Sequence, residues 1–283
     1  MLSLKTICFN KKQICITFQR LCSTNITEQK VKVKDFELNY VKSGKGENAL
    51  LCMPGLLGSA WTDFKPQIEN LPGLLPNYTV VAWDPPGYGA SRPPKREFGL
   101  QFFQTDSDLS HDFMKTLGYD KYSILGWSDG GITGLISAGK YTKAVQNLII
   151  WGANSYIVPE ELKIYESIRD VKNWSKRMRE PLEKMYGEEY FQNSMSQWVD
   201  MFNEMYKKNG GNICREYLSK IVCRTFIIHG AKDPMISSEH VPYLVKHIKG
   251  AKLYVFEEGK HNVHLRYPDQ FNNMVADFLN NKL

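Results

Sequence analysis

The 283-residue sequence has no apolar run near the roughly 18 residues that a membrane-spanning helix requires, which excludes a transmembrane helix. It also has no internal repeat and no low-complexity segment. Metal-ligand spacing is missing among the three cysteines that follow the first 27 residues, Cys52, Cys214 and Cys223. We therefore expect reduced, structural thiols and no metal site. With 42% hydrophobic and 23% charged residues, the chain can bury one sizeable globular core.

Acidic residues are absent from residues 1–27, which carry Lys5, Lys11, Lys12 and Arg20. Without this segment the chain has 32 basic and 30 acidic residues, so its remainder offers no argument for binding nucleic acid or a membrane surface. A basic, acid-free N-terminus with serine and threonine is typical of a mitochondrial presequence. We predict a mitochondrial protein; the alternative is a basic tail on a cytoplasmic protein.

Short apolar runs alternate with helical patterns along most of the chain. The predicted strands are residues 49–53, 78–84, 122–125, 145–151, 225–229 and 252–256, and the predicted helices include residues 61–71, 103–117 and 268–283. This alternation predicts an α/β fold with a mostly parallel central sheet and helices on both faces. Residues 31–41 alternate apolar with polar side chains and then reach a turn at Ser43–Gly46, which we interpret as an edge hairpin.

Residues 154–219 differ from the rest of the chain in composition and in the spacing of their apolar residues. They are amphipathic and helical, with many aromatic and charged residues and no convincing strand. We predict that they form a helical lid inserted into a core composed of residues 28–153 and 220–283.

The central motif is Gly126-Trp127-Ser128-Asp129-Gly130, which follows a strand-like run and precedes small residues typical of a closely packed helix. Gly-x-Ser-x-Gly between a strand and a helix is the pattern of a nucleophile elbow, a turn so tight that glycines must flank the serine. The helix N-terminus stabilises negative charge that develops beside the serine. We predict that Ser128 is a catalytic nucleophile.

A serine nucleophile requires a base and a carboxylate that orients the base, and in elbow hydrolases both follow the serine, the carboxylate first. Asp233 lies in the loop after the predicted strand 225–229, and His261 and His264 follow the strand 252–256. His261 is the preferred base because it comes directly after the loop. His264, one turn into a helical stretch, remains the alternative.

The oxyanion of a tetrahedral intermediate requires two N–H donors. One donor is predicted to be the backbone of Asp129, the residue after the nucleophile, and the other lies in the loop after an earlier strand. In that loop Leu56 is the predicted donor and Leu57 is the alternative. We expect the side chains of Leu56, Leu57, Trp127 and the helical segment 154–219 to line the substrate pocket.

The carboxylate of Asp129 opposes a neighbouring oxyanion unless a cation offsets it. A substrate α-ammonium about 4 Å away would interact with it by up to about 4 kcal/mol at an effective dielectric of 20. Asp129 is therefore predicted to bind the amine of the substrate. The alternative is an acidic residue that serves the dipole of its helix.

From about residue 31 to the C-terminus, the chain resembles the α/β-hydrolase superfamily. The segments that carry this resemblance include Met-Pro-Gly-Leu-Leu-Gly-Ser, Leu-Gly-Trp-Ser-Asp-Gly-Gly, Ile-Trp-Gly-Ala-Asn, His-Gly-Ala-Lys-Asp-Pro and Gly-Lys-His-Asn-Val-His. The second and third of these are similar to the biphenyl hydrolase-like group. That resemblance implies a mitochondrial serine hydrolase of α-amino acid esters, with Ser128, Asp233 and His261 as triad and Asp129 binding the substrate amine. One departure is Pro85-Pro86, where relatives commonly have Pro-Arg.

The expected function is a monomeric serine hydrolase, without cofactor or metal, that cleaves small esters with a free α-amino group through an acyl-enzyme. Two alternatives stay open. The same triad could serve a hydrolase that breaks a carbon–carbon bond of a diketone, which would favour an anionic substrate. The chain could also be a ligand-binding relative whose turnover is negligible.

Overall fold

A computed structural model describes residues 25–283, so all but the last three residues of the predicted presequence lie outside the described part. The strands are β1 (Thr27–Val33), β2 (Phe36–Gly44), β3 (Asn48–Met53), β4 (Tyr78–Trp83), β5 (Tyr122–Trp127), β6 (Val145–Trp151), β7 (Arg224–Gly230) and β8 (Lys252–Phe256). The α-helices are α1 (Ala60–Leu74), α2 (Phe102–Thr116), α3 (Asp129–Lys140), α4 (Pro159–Ser167), α5 (Lys176–Tyr186), α6 (Glu188–Asn209), α7 (Arg215–Leu218), α8 (His240–His247), α9 (Val263–Arg266) and α10 (Pro268–Leu279). No helix between residues 25 and 283 combines the length and the apolar character needed to cross a membrane.

The strands form one sheet in the order β1-β2-β4-β3-β5-β6-β7-β8. β2 pairs antiparallel with β1 and with β4, and the other neighbours pair in parallel. The predicted mostly parallel α/β fold is confirmed. In such a sheet the loops at the carboxyl ends of the parallel strands meet at one edge, where ligands bind.

The edge hairpin turns at a different place from the predicted one. β1 and β2 are joined by Lys34 and Asp35, and Lys34 has a positive φ of 52°. Ser43 and Gly44, the start of the predicted turn, instead pair with β4. The apolar side chains change from odd to even positions across Lys34 and Asp35, and this change of face marks the two-residue turn that the alternation alone concealed.

Both faces of the sheet are buried, as the apolar strands predict. In β3, Leu50 and Cys52 belong to the core beneath α1 and α10, whereas Leu51 and Met53 belong to the core beneath α2 and α3. Ser59 caps α1, because its side chain accepts a hydrogen bond from the backbone N–H of Thr62 at 3.2 Å.

Residues 154–219, here called the insertion, connect β6 to the segment before β7. They contain α4 to α7, and a single bridge between Tyr156 and Asn212 joins their two ends. A third apolar cluster joins the insertion to loops of the core, and its members are Leu57, Tyr88, Val171, Tyr186, Phe191 and Met195. The insertion thus packs over the carboxyl edge of the sheet.

Candidate active site

Ser128 lies in the turn between β5 and α3 with φ 53° and ψ −122°, a backbone conformation that costs a non-glycine residue about 1–3 kcal/mol. The flanking glycines permit this turn. A Cβ on Gly126 would lie 2.6 Å from the Gly130 carbonyl oxygen, and one on Gly130 would lie 2.1 Å from the Met53 carbonyl oxygen. The predicted elbow is therefore present, and it places Ser128 at the carboxyl edge of the sheet.

His261 and Asp233 meet across the loops that follow β8 and β7. His261 Nδ1 lies 2.9 Å from Asp233 Oδ2, and Asp233 Oδ1 accepts the backbone N–H of Met235 at 2.8 Å. Burial raises the pKa of the Asp233 carboxyl, but the hydrogen bond and charge of His261 outweigh it, and the pKa lies below its usual value. The carboxylate is therefore suited to orient the imidazole and to stabilise its protonated form.

Two further residues fix the His261 ring. Trp127 Nε1 donates to the backbone carbonyl of His261 at 2.9 Å, and the two rings lie 5.4 Å apart. Gly152, with φ 58°, faces the ring, since a Cβ there would lie 2.8 Å from His261 Cε1. The imidazole is thus confined between an indole and bare backbone.

His264, the alternative base, has no hydrogen bond to Ser128 or Asp233, and its ring packs 4.7 Å from that of Trp127. It is fully buried and accepts a hydrogen bond from Trp151 Nε1 at its Nδ1, at 2.9 Å. Burial lowers the pKa of its imidazole to about 3. His264 therefore remains a neutral core residue at physiological pH.

A narrow cavity of about 20 Å³, room for about one water molecule, joins Ser128, Asp129 and His261. Its other lining residues are Ile132, Gly152, Asn154, Tyr165, Trp198, Phe202, Met235 and Ile236. Four of the lining residues, Asn154, Tyr165, Trp198 and Phe202, come from the insertion. The insertion was expected to line the site, but its sequence did not single out these four residues.

The structure does not place Leu56, Leu57 or Trp127 in the lining of this cavity. Leu57 is buried in the cluster beneath the insertion, and Trp127 packs behind His261 toward the α1 and α10 side of the sheet. The reason is the elbow geometry, because residues on either side of Ser128 point to opposite sides of the turn. Trp127 supports the imidazole, while Asp129 faces the cavity.

The loop after β3 passes directly over Ser128. A Cβ on Gly55 would lie 3.2 Å from the Cβ of Ser128. Within residues 25–283, no backbone acceptor engages the N–H of Leu56 or Asp129, whereas the N–H of Leu57 faces the buried hydroxyl of Tyr88. Leu56 and Asp129 are thus the donors near the elbow that an oxyanion could use.

Asp129 is buried, with 6% of its surface exposed, and its Oδ2 accepts a hydrogen bond from Trp198 Nε1 at 2.9 Å. Burial raises the pKa of its carboxyl to about 7, although this hydrogen bond and the charge of Arg96 act in the opposite direction. Arg96 itself forms a two-pronged ion pair with Asp106. Asp129 therefore lacks a directly bonded cation among the described residues.

A buried pair that the sequence analysis missed holds the insertion to the core. Glu161 of α4 accepts hydrogen bonds from His240 Nε2 at 2.9 Å and from the backbone of Ser237 at 3.0 Å. Its second oxygen accepts from Asn154 Nδ2 at 3.2 Å. Asn154 is thereby fixed in the cavity wall. A glutamate in the first turn of an amphipathic helix carries no sequence signal of such burial.

Comparison with known proteins agrees with this geometry. Residues 48–183 match the α/β hydrolase fold family. The chain is 48% identical over 256 residues to human serine hydrolase BPHL, with 90% of this chain and 87% of the relative covered, and 45% identical over 273 residues to the mouse protein, with 96% and 92% covered.

The fold is also similar to 2-hydroxy-6-oxo-6-phenylhexa-2,4-dienoate hydrolase from Rhodococcus sp. strain RHA1, with a TM-score of 0.75 at 18% identity and 91% and 100% of the two chains covered. At 18% sequence identity, this similarity is evidence for a shared fold only. Together with the identity to BPHL and the elbow at Ser128, these findings show that the chain belongs to the serine hydrolases of the α/β-hydrolase superfamily, in the biphenyl hydrolase-like group.

Proposed function

We propose that the protein cleaves esters of α-amino acids through an acyl-enzyme. Ser128 Oγ attacks the ester carbonyl while its proton passes to His261, and Asp233 orients and stabilises the resulting imidazolium. The oxyanion accepts hydrogen bonds from the backbone N–H groups of Leu56 and Asp129. The carbon–oxygen bond to the alcohol then breaks, and His261 gives its proton to the departing alcohol oxygen.

Water completes the cycle. It attacks the acyl carbon and gives one proton to His261, the acyl bond to Ser128 breaks, and the same proton returns to the serine oxygen. The free amino acid and the alcohol are the products.

The observation that carries the substrate class is the environment of Asp129. A buried carboxylate beside a developing oxyanion is costly, and the nearby guanidinium of Arg96 is already committed to Asp106. A substrate ammonium would supply the missing positive charge. At about 4 Å its attraction to the carboxylate is up to about 4 kcal/mol at an effective dielectric of 20.

The opposite wall of the cavity fits such a substrate. Asn154 donates its amide N–H to Glu161, which leaves its carbonyl oxygen as the group able to accept from an ammonium. Phe202, Ile132 and Ile236 supply apolar surface in the same lining. The site thus combines an acceptor-rich end with an apolar end.

The test compares two esters of one amino acid and one alcohol, of which only the first has a free ammonium: valine ethyl ester and its N-acetyl derivative. Asp129→Asn keeps the backbone N–H and removes the charge, so we expect kcat/KM for the free amine to fall about 10- to 1000-fold. The N-acetyl ester should be hydrolysed as well as before. Equal losses on both substrates would contradict amine recognition.

Two control experiments test the alternatives. Labelling by a fluorophosphonate probe that is lost in Ser128→Ala separates an active hydrolase from an inert ligand-binding relative. A hydrolase that breaks carbon–carbon bonds in diketones would prefer anionic substrates, such as the dienoate for which the Rhodococcus hydrolase is named. A greater turnover of an anionic dienoate than of any amino acid ester would therefore favour that alternative.

A further inference from the structure

Tyr186, the last residue of α5 in the insertion, contacts the loop that carries the predicted oxyanion donor. Its hydroxyl donates to the backbone carbonyl of Leu57 at 2.9 Å and accepts the backbone N–H of Gly89 at 2.9 Å. The side chain is buried, with 6% exposed. A residue of the insertion is thus bonded directly to the loop above Ser128.

The same loop is held at its other end by the core. The Gly55 backbone N–H donates to Asp63 Oδ2 at 3.0 Å. Leu57 adopts a positive φ of 56°, which is unfavourable for a leucine and persists only where the surroundings impose it. The N–H of Leu56 lies between these two fixed points, so its direction depends on both.

We propose that Tyr186 is a positioning residue that sets the oxyanion hole through the Leu57 carbonyl, so that the insertion takes part in the chemical step. Without the hydroxyl, the Leu57–Gly58 peptide loses one anchor and keeps the bond from its Gly58 N–H to the Gly55 carbonyl at 3.1 Å. Because the Gly55 carbonyl and the Leu56 N–H belong to one peptide, a shift of the Leu57–Gly58 peptide can turn the Leu56 N–H away from the oxyanion. Losing one oxyanion donor costs about 10²–10³ in kcat, and a misdirected donor costs part of that.

This inference rests on the proposed acyl transfer at Ser128 and not on the preference for an amine. Any ester that the wild-type protein hydrolyses therefore serves for the test. If the wild-type protein hydrolyses no ester, or if Ser128→Ala leaves hydrolysis unchanged, the proposed function is wrong. If hydrolysis depends on Ser128 but not on Tyr186, only the present inference is wrong.

Tyr190 provides a matched control one turn further along. Its hydroxyl donates to the Gly87 carbonyl at 2.7 Å and accepts the Arg96 backbone N–H at 2.9 Å, and its ring stacks on that of Tyr186 at 5.6 Å. Removing either hydroxyl breaks two equivalent bonds between the insertion and a core loop. Only the Tyr186 hydroxyl reaches the oxyanion loop.

We expect Tyr186→Phe to lower kcat about 5- to 50-fold while KM changes less than about twofold, as expected for an interaction that acts in the transition state. Its affinity for a boronic acid that forms a tetrahedral adduct with Ser128 should fall by a similar factor. Tyr190→Phe should keep kcat within about twofold of the wild type.

Thermal unfolding of both variants completes the experiment. Equal kcat losses in Tyr186→Phe and Tyr190→Phe, or a loss confined to KM, would overturn the proposal, because both indicate a general role of the insertion. If Tyr186→Phe failed to fold while Tyr190→Phe folded, the Tyr186 hydroxyl would be serving stability, and the proposal would also fall.

Discussion

Asp129→Asn should make the protein more stable while it impairs the proposed binding of an amine. In the native state burial raises the pKa of the Asp129 carboxyl from 3.8 to about 7, so ionising this group opposes folding. The substitution removes that ionisation and keeps an oxygen that can accept the hydrogen bond from Trp198. The residue that we propose for substrate selection therefore reduces stability, as is common for functional groups.

The magnitude follows from the pKa shift. About three pKa units at 1.36 kcal/mol each amount to about 4 kcal/mol of destabilisation above pH 7. Two effects reduce the gain in stability of the variant. Loss of the favourable interaction between the charge and the N-terminus of α3 reduces it by about 0.5–1 kcal/mol, and burial of an additional amide N–H reduces it by about 1–2 kcal/mol. We expect a net gain of about 1–3 kcal/mol at pH 8, which corresponds to roughly 2–6 °C in Tm.

The pH dependence has a definite sign. Between pH 4 and pH 7 the unfolded chain has released the Asp129 proton and the native protein retains it, so the native wild type loses stability as pH rises. Asp129→Asn lacks this loss. Its advantage over the wild type should therefore grow by about 1.4 kcal/mol per pH unit from pH 5 to pH 7 and stay constant above that.

The assay is urea unfolding of both proteins at pH 5, 6, 7 and 8. Asp108→Asn is a useful control because Asp108 titrates in the opposite sense. Partial burial raises the pKa of Asp108, but hydrogen bonds from Lys140 and Tyr141 outweigh it and hold that pKa below its usual value. Asp108→Asn should therefore be less stable than the wild type by an amount that stays nearly constant from pH 8 to pH 5, because the difference shrinks only below about pH 4, where the unfolded chain binds the proton first.

A stability difference between Asp129→Asn and the wild type that does not change between pH 5 and pH 8 would refute this reasoning. It would mean that the Asp129 carboxyl does not titrate with a raised pKa in the native protein. A variant less stable than the wild type at pH 8 would refute it as well, because the lost hydrogen bonds would then outweigh the relieved charge.

Three other predictions concern the triad, the imidazole and the N-terminus. Ser128→Ala and His261→Ala should each lower kcat by orders of magnitude, and steady-state assays of the double variant should show no further loss because the two groups act as a unit. Gly152→Ala should lower kcat at least tenfold in the same assay, because its Cβ would meet the His261 ring. Gly210 is the control: it also has a positive φ, but no atom lies within 4 Å of an added Cβ. Gly210→Ala should therefore lose only stability, by about 1 kcal/mol. N-terminal sequencing of mitochondrial protein should find a start within residues 20–30, and an intact Met1 would contradict cleavage.

Sequence order was sufficient to predict which residues meet at the elbow, for a topological reason. The loop with Asp233 follows β7 and the loop with His261 follows β8, and these strands are parallel neighbours. Their carboxyl ends must therefore lie side by side, whatever the side chains around them. Ser128 reaches the same edge because β5 runs in the same direction.

The cavity wall was less predictable because the insertion supplies much of it. Helical spacing indicates which face of α6 is apolar, but nothing in the pattern says whether Trp198 faces the core or Asp129. Leu57 and Trp127 were expected in the lining because they adjoin predicted site residues. The backbone reverses direction within a few residues on both sides of Ser128. Residues that are neighbours in the sequence there do not have to line the same cavity.

The sequence did not predict the buried contacts Glu161–His240 and Tyr186–Leu57 for a related reason. Each joins residues about 80 or more positions apart, and one partner of the second is a backbone carbonyl, which any residue possesses. Only the docking of the insertion onto the sheet edge brings these groups together.

The hydrogen bond between Trp198 and Asp129 has a spectroscopic consequence. The indole belongs to α6 of the insertion, and the carboxyl belongs to the first turn of α3 in the core. The fluorescence of Trp198 therefore depends on groups from both the insertion and the core. Ionisation of the carboxyl, pairing of its charge with an ammonium, and separation of α6 from α3 each change the electric field along the indole. The difference between the emission of the wild type and that of Trp198→Phe is therefore an intrinsic optical signal of site occupancy, obtained without a label.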